Sequence, residues 1–159
     1  FTRVLKGHIA VAKANLNKFK KGNEIDKLAR SSLKKKKLDY SHGTGHGVGY
    51  FLNVHEGPQA ISKFNTVKLE DGMILSNEPG YYNKNKYGIR IENLIYVRKN
   101  NKKLQFENLT LAPIDKDLID FKLLSIEEKQ YLHDYHKEVY SKLKNYLNFE
   151  EKIWLKNLF

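Results

Sequence analysis

Residues 42–57 exclude a helix from the middle of this chain and impose a tightly turned, extended backbone there. The run His42-Gly43-Thr44-Gly45-His46-Gly47-Val48-Gly49, with His55-Glu56-Gly57 close behind, places five glycines and three histidines within sixteen residues. Glycine costs about 1 kcal/mol relative to alanine in a helix interior. The spacing of four between His42 and His46 would put both imidazoles on one helical face for zinc, but four glycines within eight residues remove that helix. Glycine at this density serves positive φ or close backbone approach. The segment reads as a wall of loop and strand, with substrate or metal against the backbone and selected histidines pointing inward.

Two later segments, Asn77-Glu78-Pro79-Gly80 and Gly88-Ile89-Arg90-Ile91-Glu92-Asn93, add a carboxylate each. Proline after Glu78 biases that residue to extended geometry, so Glu78 is either a rigid metal ligand or the surface acid of a turn. Strand alternation puts Arg90 and Glu92 on one face and Ile89, Ile91 and Asn93 on the other. An acid among β-branched neighbours is costly to bury unless it is paired or metal-bound. Pairing with Arg90 is the plain alternative to ligation. His46 likewise reads as a ligand or as a satisfied polar side chain. Histidines and carboxylates between glycine-rich turns are the equipment of a metal-assisted hydrolase. The absence of cysteine leaves only nitrogen and oxygen donors for any metal.

A length of 159 residues with 40% hydrophobic content is one domain, or a large piece of one, with enough apolar material for a core. No apolar run approaches the roughly 18 residues of a membrane span. The net charge of +11 suggests nucleic acid, but its distribution argues otherwise. Residues 1–37 carry 12 Lys and Arg against 2 acids, whereas residues 38–159 carry 17 against 16. Lysine accounts for 25 of the 29 basic residues and lacks the fork geometry that base edges favour. A solvated lysine-rich helical face is expected, with no nucleic-acid and no membrane partner.

Phe1, Leu5, His8, Ile9, Ala12, Leu16 and Phe19 recur at helical spacing, and the apolar face is already running at residue 1. That pattern, without a starting methionine, suggests a fragment whose first helix begins upstream. A second helix is expected after Gly22, capped by Asn23 with Asp26 three residues on, and buried through Ile25, Leu28, Ala29 and Leu33. Strand-like runs follow at Tyr50–Val54, Met73–Ser76, Ile89–Val97 and Leu104–Leu111, with Leu69–Gly72 as a tight turn into the second. Ser125-Ile126-Glu127-Glu128 is a capping box opening a long helix buried along Leu132, Tyr135, Val139, Leu143 and Tyr146/Leu147. A short amphipathic segment, Phe149–Phe159, closes the chain. The order of two helices, a mixed sheet and a helical tail is α+β.

The four motifs His-Gly-Thr-Gly-His-Gly-Val-Gly, Phe-Leu-Asn-Val-His-Glu-Gly-Pro, Asn-Glu-Pro-Gly-Tyr-Tyr and Gly-Ile-Arg-Ile-Glu-Asn resemble, in order and spacing, the catalytic half of aminopeptidase P. That family comprises Xaa-Pro aminopeptidases of the pita-bread metallopeptidase superfamily. Val4–Ala10 and Leu38-Asp39-Tyr40 resemble its eukaryotic cytosolic type. The resemblance implies the C-terminal half of a pita-bread catalytic domain over residues 1–120 and a helical C-terminal extension over 121–159. It further implies His46, Glu78 and Glu92 as metal ligands, with Glu92 bridging two ions and Glu78 also shuttling the proton. His42 and His55 correspond to histidines that bind substrate and stabilise the tetrahedral intermediate, and Arg90 to an arginine that orients the acids at the substrate site. A mostly carboxylate site with one imidazole suits two manganese(II) ions, which would activate water and polarise the peptide carbonyl.

The resemblance also implies a pair of aspartate ligands upstream of Phe1, so the expectation for these residues alone is weak metal binding and no activity. Two rivals are a pita-bread binding module for peptides, histones or RNA and a prolidase-type dipeptidase. Retention of His46, Glu78 and Glu92 argues against the first; Tyr81-Tyr82 after Glu78-Pro79-Gly80 argues against the second. The remaining expectations are a homodimer contact in the tail, proline-containing peptides as substrates and a cytoplasmic location.

Overall fold

The computed structural model describes residues 1–51 and 53–158. They form two compact units, Arg3–Thr110 and Leu111–Phe159 together with Phe1–Thr2.

Helix α1 spans Thr2–Ala12 and buries Val4, Leu5, Ile9 and Val11. The expected apolar stripe continues to Phe19, but the helix does not. Asn15 captures the chain instead: its side chain accepts from the Asn17 amide and its carbonyl from the Phe19 amide. Such local side-chain bonds compete with the helical ladder. Leu16 stays fully buried, from a turn. Helix α2, Gly22–Lys34, buries Ile25, Ala29 and Leu33 as the spacing predicts. Its cap differs from the expected Asn23 and Asp26. The Glu24 carboxylate accepts from the backbone N–H groups of Lys20 and Lys21, which frees Asp26 for the interior.

A five-stranded antiparallel sheet packs against these helices. In chain order its strands are β1 (Gly45–Val48), β2 (Ala60–Ile61), β3 (Ile74–Asn77), β6 (Asn93–Asn100) and β7 (Lys103–Asn108), arranged β2-β1-β3-β6-β7. Between β3 and β6 the chain forms a separate ribbon of β4 (Gly80–Asn83) and β5 (Tyr87–Arg90). Ile25, Ala29, Ile61, Leu75, Ile95 and Val97 make the centre of the core.

Two strand expectations change, and two short strands are added. Tyr50–Val54 is a turn, with Leu52 outside the described residues; the Gly49 amide donates to the Asn53 carbonyl, and Tyr50 and Phe51 face solvent. The expected strand Ile89–Val97 breaks at Ile91-Glu92, where the chain leaves the ribbon for the sheet. The short partners β2 and β4 carry no sustained alternation and were not anticipated.

In the second unit, Asp115 and Asp120 cap two short 3-10 turns, and helix α3 spans Ile126–Leu143. Its capping box forms as the sequence predicts: Glu128 N–H donates to Ser125 Oγ and Ser125 N–H to the Glu128 carboxylate. Leu132, Tyr135 and Val139 are buried. Tyr146 is not, being 85% exposed. The helix ends at Leu143 and a 3-10 turn follows over Lys144–Tyr146; its tighter winding rotates Tyr146 off the stripe. Helix α4, Phe149–Lys156, has an Asn148/Glu151 capping box and buries Leu155. Phe159 lies outside the described residues.

Candidate metal centre

His46 lies on β1, Glu78 just beyond β3 and Glu92 in the break between β5 and β6. One donor atom from each can be chosen so that all three lie within 4.8 Å of one another. The sheet explains the convergence. Strand β1 pairs with β3 and β3 with β6, so their ends meet on one edge. The Glu78 amide donates to the Thr44 carbonyl at 2.8 Å, which locks the end of β3 to the start of β1.

The glycines serve this packing. A Cβ at Gly45 would overlap the Ser76 carbonyl oxygen, and one at Gly47 would overlap the Glu56 carbonyl oxygen. The close approach anticipated for substrate is thus made by the protein's own backbone at these two positions.

The tautomer of His46 follows from its neighbours. Its Nδ1 is 3.0 Å from the Gly47 carbonyl oxygen, which can only accept, so Nδ1 carries the proton in the neutral ring. Nε2 then presents a lone pair 3.4 Å from Glu78 Oε1. A bare nitrogen and a carboxylate oxygen at this spacing repel unless a proton or a metal ion is shared between them. Ser76 organises both partners, since its Oγ accepts from the His46 amide at 2.9 Å and donates to Glu78 Oε1 at 2.9 Å. This nitrogen–oxygen set, with an imidazole oriented by a backbone carbonyl, fits a divalent ion. Glu78 is buried while Glu92 is exposed, so the expected burial of Glu92 does not occur; it reaches the cluster from the strand break.

Arg90 turns towards Tyr82 and Glu78. Its Nε donates to Tyr82 Oη at 2.9 Å and stands 3.7 Å from Glu78 Oε2. The Tyr82 hydroxyl, then Glu78 and Glu92, hold the guanidinium charge more firmly than usual, raising its pKa. Tyr82 also meets His42, at 2.9 Å from Nε2. Because His42 Nδ1 lies 2.7 Å from the Gly43 carbonyl oxygen, neutral His42 accepts from the Tyr82 hydroxyl at Nε2. A directional chain results, Arg90 to Tyr82 to His42. His55 is exposed, with its ring centroid 4.2 Å from that of His46.

Sequence reasoning missed Tyr82 and Ser76. The signal for Tyr82 lies in the ribbon register, Gly80↔Arg90 and Tyr82↔Gly88. A Cβ at Gly80 or Gly88 would press on the Tyr82 ring, so the glycines leave room for that ring across the ribbon. Ser76 carries no comparable sequence signal.

An α+β fold that gathers one imidazole and two carboxylates at the ends of its strands has a donor set of the kind that holds a divalent ion. The profile of metallopeptidase family M24 matches residues 1–99, and that of the C-terminal region of peptidase M24 matches residues 102–158. The chain belongs to metallopeptidase family M24, and its fold is of the pita-bread type. It is 48% identical to a probable Xaa-Pro aminopeptidase P of Coprinopsis cinerea over 98% of this chain and 27% of that protein. Among solved structures, X-prolyl aminopeptidase from Caenorhabditis elegans, described as a cytosolic enzyme with a di-nuclear active site, superposes with a TM-score of 0.89 at 42% identity. That match covers 99% of this chain and 27% of the nematode one. Prolidase from Pyrococcus furiosus gives 0.59 at 30% identity, over 68% of this chain and 30% of its own. The chain therefore spans about a quarter of the length of the aminopeptidase P relatives it matches.

Proposed function

We propose that these residues form the C-terminal part of the catalytic domain of a metal-dependent aminopeptidase that removes an N-terminal residue preceding proline. The observation that carries this reading is the convergence of His46, Glu78 and Glu92 donor atoms within 4.8 Å, with His46 Nε2 3.4 Å from Glu78 Oε1. His46, Glu78 and Glu92 would hold the metal, with manganese(II) favoured by the oxygen-rich donors. The bound ions would supply an activated water and a polarised scissile carbonyl.

The side chains account for the remaining steps. Glu78 takes the proton of the attacking water at Oε2, the oxygen that Ser76 leaves open, and passes it to the proline nitrogen as the C–N bond breaks. Arg90, anchored on Tyr82, keeps the Glu78 carboxylate oriented and borders the substrate. His55, beside His46, would offer its imidazole N–H to the substrate carbonyl. His42 would do so only by giving up one of its present partners, the Gly43 carbonyl or the Tyr82 hydroxyl. One such hydrogen bond to developing charge contributes on the order of 3–4 kcal/mol. The nematode X-prolyl enzyme, similar over nearly the whole chain, supports this reading over a prolidase, whose likeness is lower and shorter. A cytoplasmic location and a homodimer joined through the 121–159 extension belong to the same proposal.

The test uses the natural full-length chain, loaded with manganese(II) and given matched Xaa-Pro and Xaa-Ala tripeptides and an Xaa-Pro dipeptide. The N-terminal residue should be released from the proline peptide, with activity lost to a chelator and restored by the metal. No release overturns the reading, equal release from both peptides removes the proline preference, and cleavage confined to dipeptides would make it a prolidase.

A further inference from the structure

Helix α2 carries a buried ion pair that the proposed chemistry does not use. Asp26 is 2% exposed and Arg30 is 7% exposed. Arg30 Nε donates to Asp26 Oδ2 at 2.8 Å. Its Nη1 donates to Asp39 Oδ1 and to the Tyr40 carbonyl, both at 2.7 Å, and its Nη2 to the His42 carbonyl at 2.6 Å. The guanidinium also lies 3.9 Å from the centre of the Tyr40 ring. Asp26 Oδ1 accepts from Thr44 Oγ1 at 2.6 Å, and the Tyr40 hydroxyl is 2.5 Å from Thr44 Oγ1.

An ion pair removed from water is weak evidence for stability, because desolvation offsets much of the attraction. Its geometry here has a narrower effect. One planar fork grips the backbone on both sides of Ser41, while its carboxylate partner grips Thr44. The Thr44 carbonyl in turn receives the Glu78 amide. Residues 40–44 are therefore fixed at both ends from one helix turn, with His42 and the neighbour of Glu78 inside the span. The Tyr40 ring adds a side wall, 4.9 Å from the His42 ring.

We propose that Arg30, braced by Asp26, is a positioning residue that sets the His42 imidazole relative to Glu78. This inference rests on the aminopeptidase reading only for its kinetic arm. Lysine retains the charge and most of the stem but cannot reach two carboxylates and two carbonyls from one plane. In the natural full-length enzyme, Arg30→Lys should lower kcat/KM for an Xaa-Pro peptide on the order of 10²-fold, the scale of a small misplacement of an active-site group. If Arg30 acts through His42, the same substitution in a His42→Ala background should cost less than about 3-fold, because the effects are not additive. Asp26→Asn, which preserves shape, should show the same non-additivity and serves where Arg30→Lys fails to fold.

Histidine-selective 15N NMR gives a readout independent of activity. His42 should show one tautomer protonated at Nδ1 in the parent and averaged signals in Arg30→Lys. An equal loss with and without His42, unchanged activity in Arg30→Lys, or an unchanged His42 signal overturns the inference. A parent that releases nothing from Xaa-Pro peptides would instead overturn the functional reading, and the NMR arm would still decide the clamp.

Discussion

Glu78 holds two positions at once. Oε1 accepts from Ser76 and faces the His46 lone pair, while Oε2 faces Arg90. Glu78→Gln keeps an oxygen for Ser76 but removes the charge and the proton-accepting oxygen. The expected outcome is a fall in kcat of about 10²–10⁴-fold, the range for a lost general base, together with reduced metal content by elemental analysis. Normal turnover in this variant would exclude Glu78 from the reaction. His8 makes a different residue-scale case. It is fully buried, and neither ring nitrogen has a hydrogen-bond partner among the described residues. Burial lowers its pKa from 6.5 to about 4. Above pH 6.5 it is neutral in folded and unfolded chains alike. As pH falls from 6.5 towards 4 the unfolded chain takes up the proton first, so stability drops by about 3 kcal/mol across that window and His8 contributes no further slope below it. Urea unfolding between pH 7 and pH 4 should show this slope, and His8→Leu should flatten it; an unchanged slope would reject the assignment.

At the scale of elements, the glycine-rich strand determines whether the centre assembles. Gly45 on β1 has no room for a Cβ against the Ser76 backbone carbonyl, whereas a Cβ at Gly57 meets nothing within 4 Å. Gly45→Ala should destabilise the fold by about 1–3 kcal/mol, the usual cost of overpacking. It should also weaken metal binding, since it pushes His46 away from Ser76. Gly57→Ala is the control, and urea midpoints of the two variants should separate clearly. The same elements show what could be read beforehand. The family resemblance singled out His46, Glu78 and Glu92, whose donor atoms do converge, and helical spacing located the buried face of α2, because that periodicity is a local pattern. Alternation across Ile89–Val97 suggested one strand, but the transfer from ribbon to sheet at Ile91-Glu92 depends on pairing with β4 and β3. Asp26 has the spacing of a cap. Arg30 lies one turn further along the same helix, but only the tertiary fold brings Thr44 and the backbone of residues 40–42 to complete the network that draws Asp26 inward. Tyr82 needed the ribbon register.

At the scale of the whole molecule, the extension carries more apolar surface than it uses. Helix α4 has eight residues and packs on α3, yet Leu155 is its one buried residue among those described. Phe149, Ile153 and Trp154 are 76%, 47% and 59% exposed, and Tyr146 just before them is 85% exposed. An isolated helix this short is marginal in water, and its cap and a single buried leucine give it limited support. Large apolar side chains exposed this close together in sequence are candidates for a contact site, and a second copy would cover them in the proposed homodimer. Tryptophan is also the residue type most enriched where interface energy concentrates. Truncation after Leu147 removes α4 while leaving α3 and its capping box intact. In the full-length enzyme, light scattering should show a dimer for the parent and a monomer for the truncated form. Trp154→Ala should weaken the dimer without disturbing the His46–Glu78–Glu92 cluster, which lies wholly within residues 3–110. A truncated chain that remains dimeric would exclude α4 as the contact.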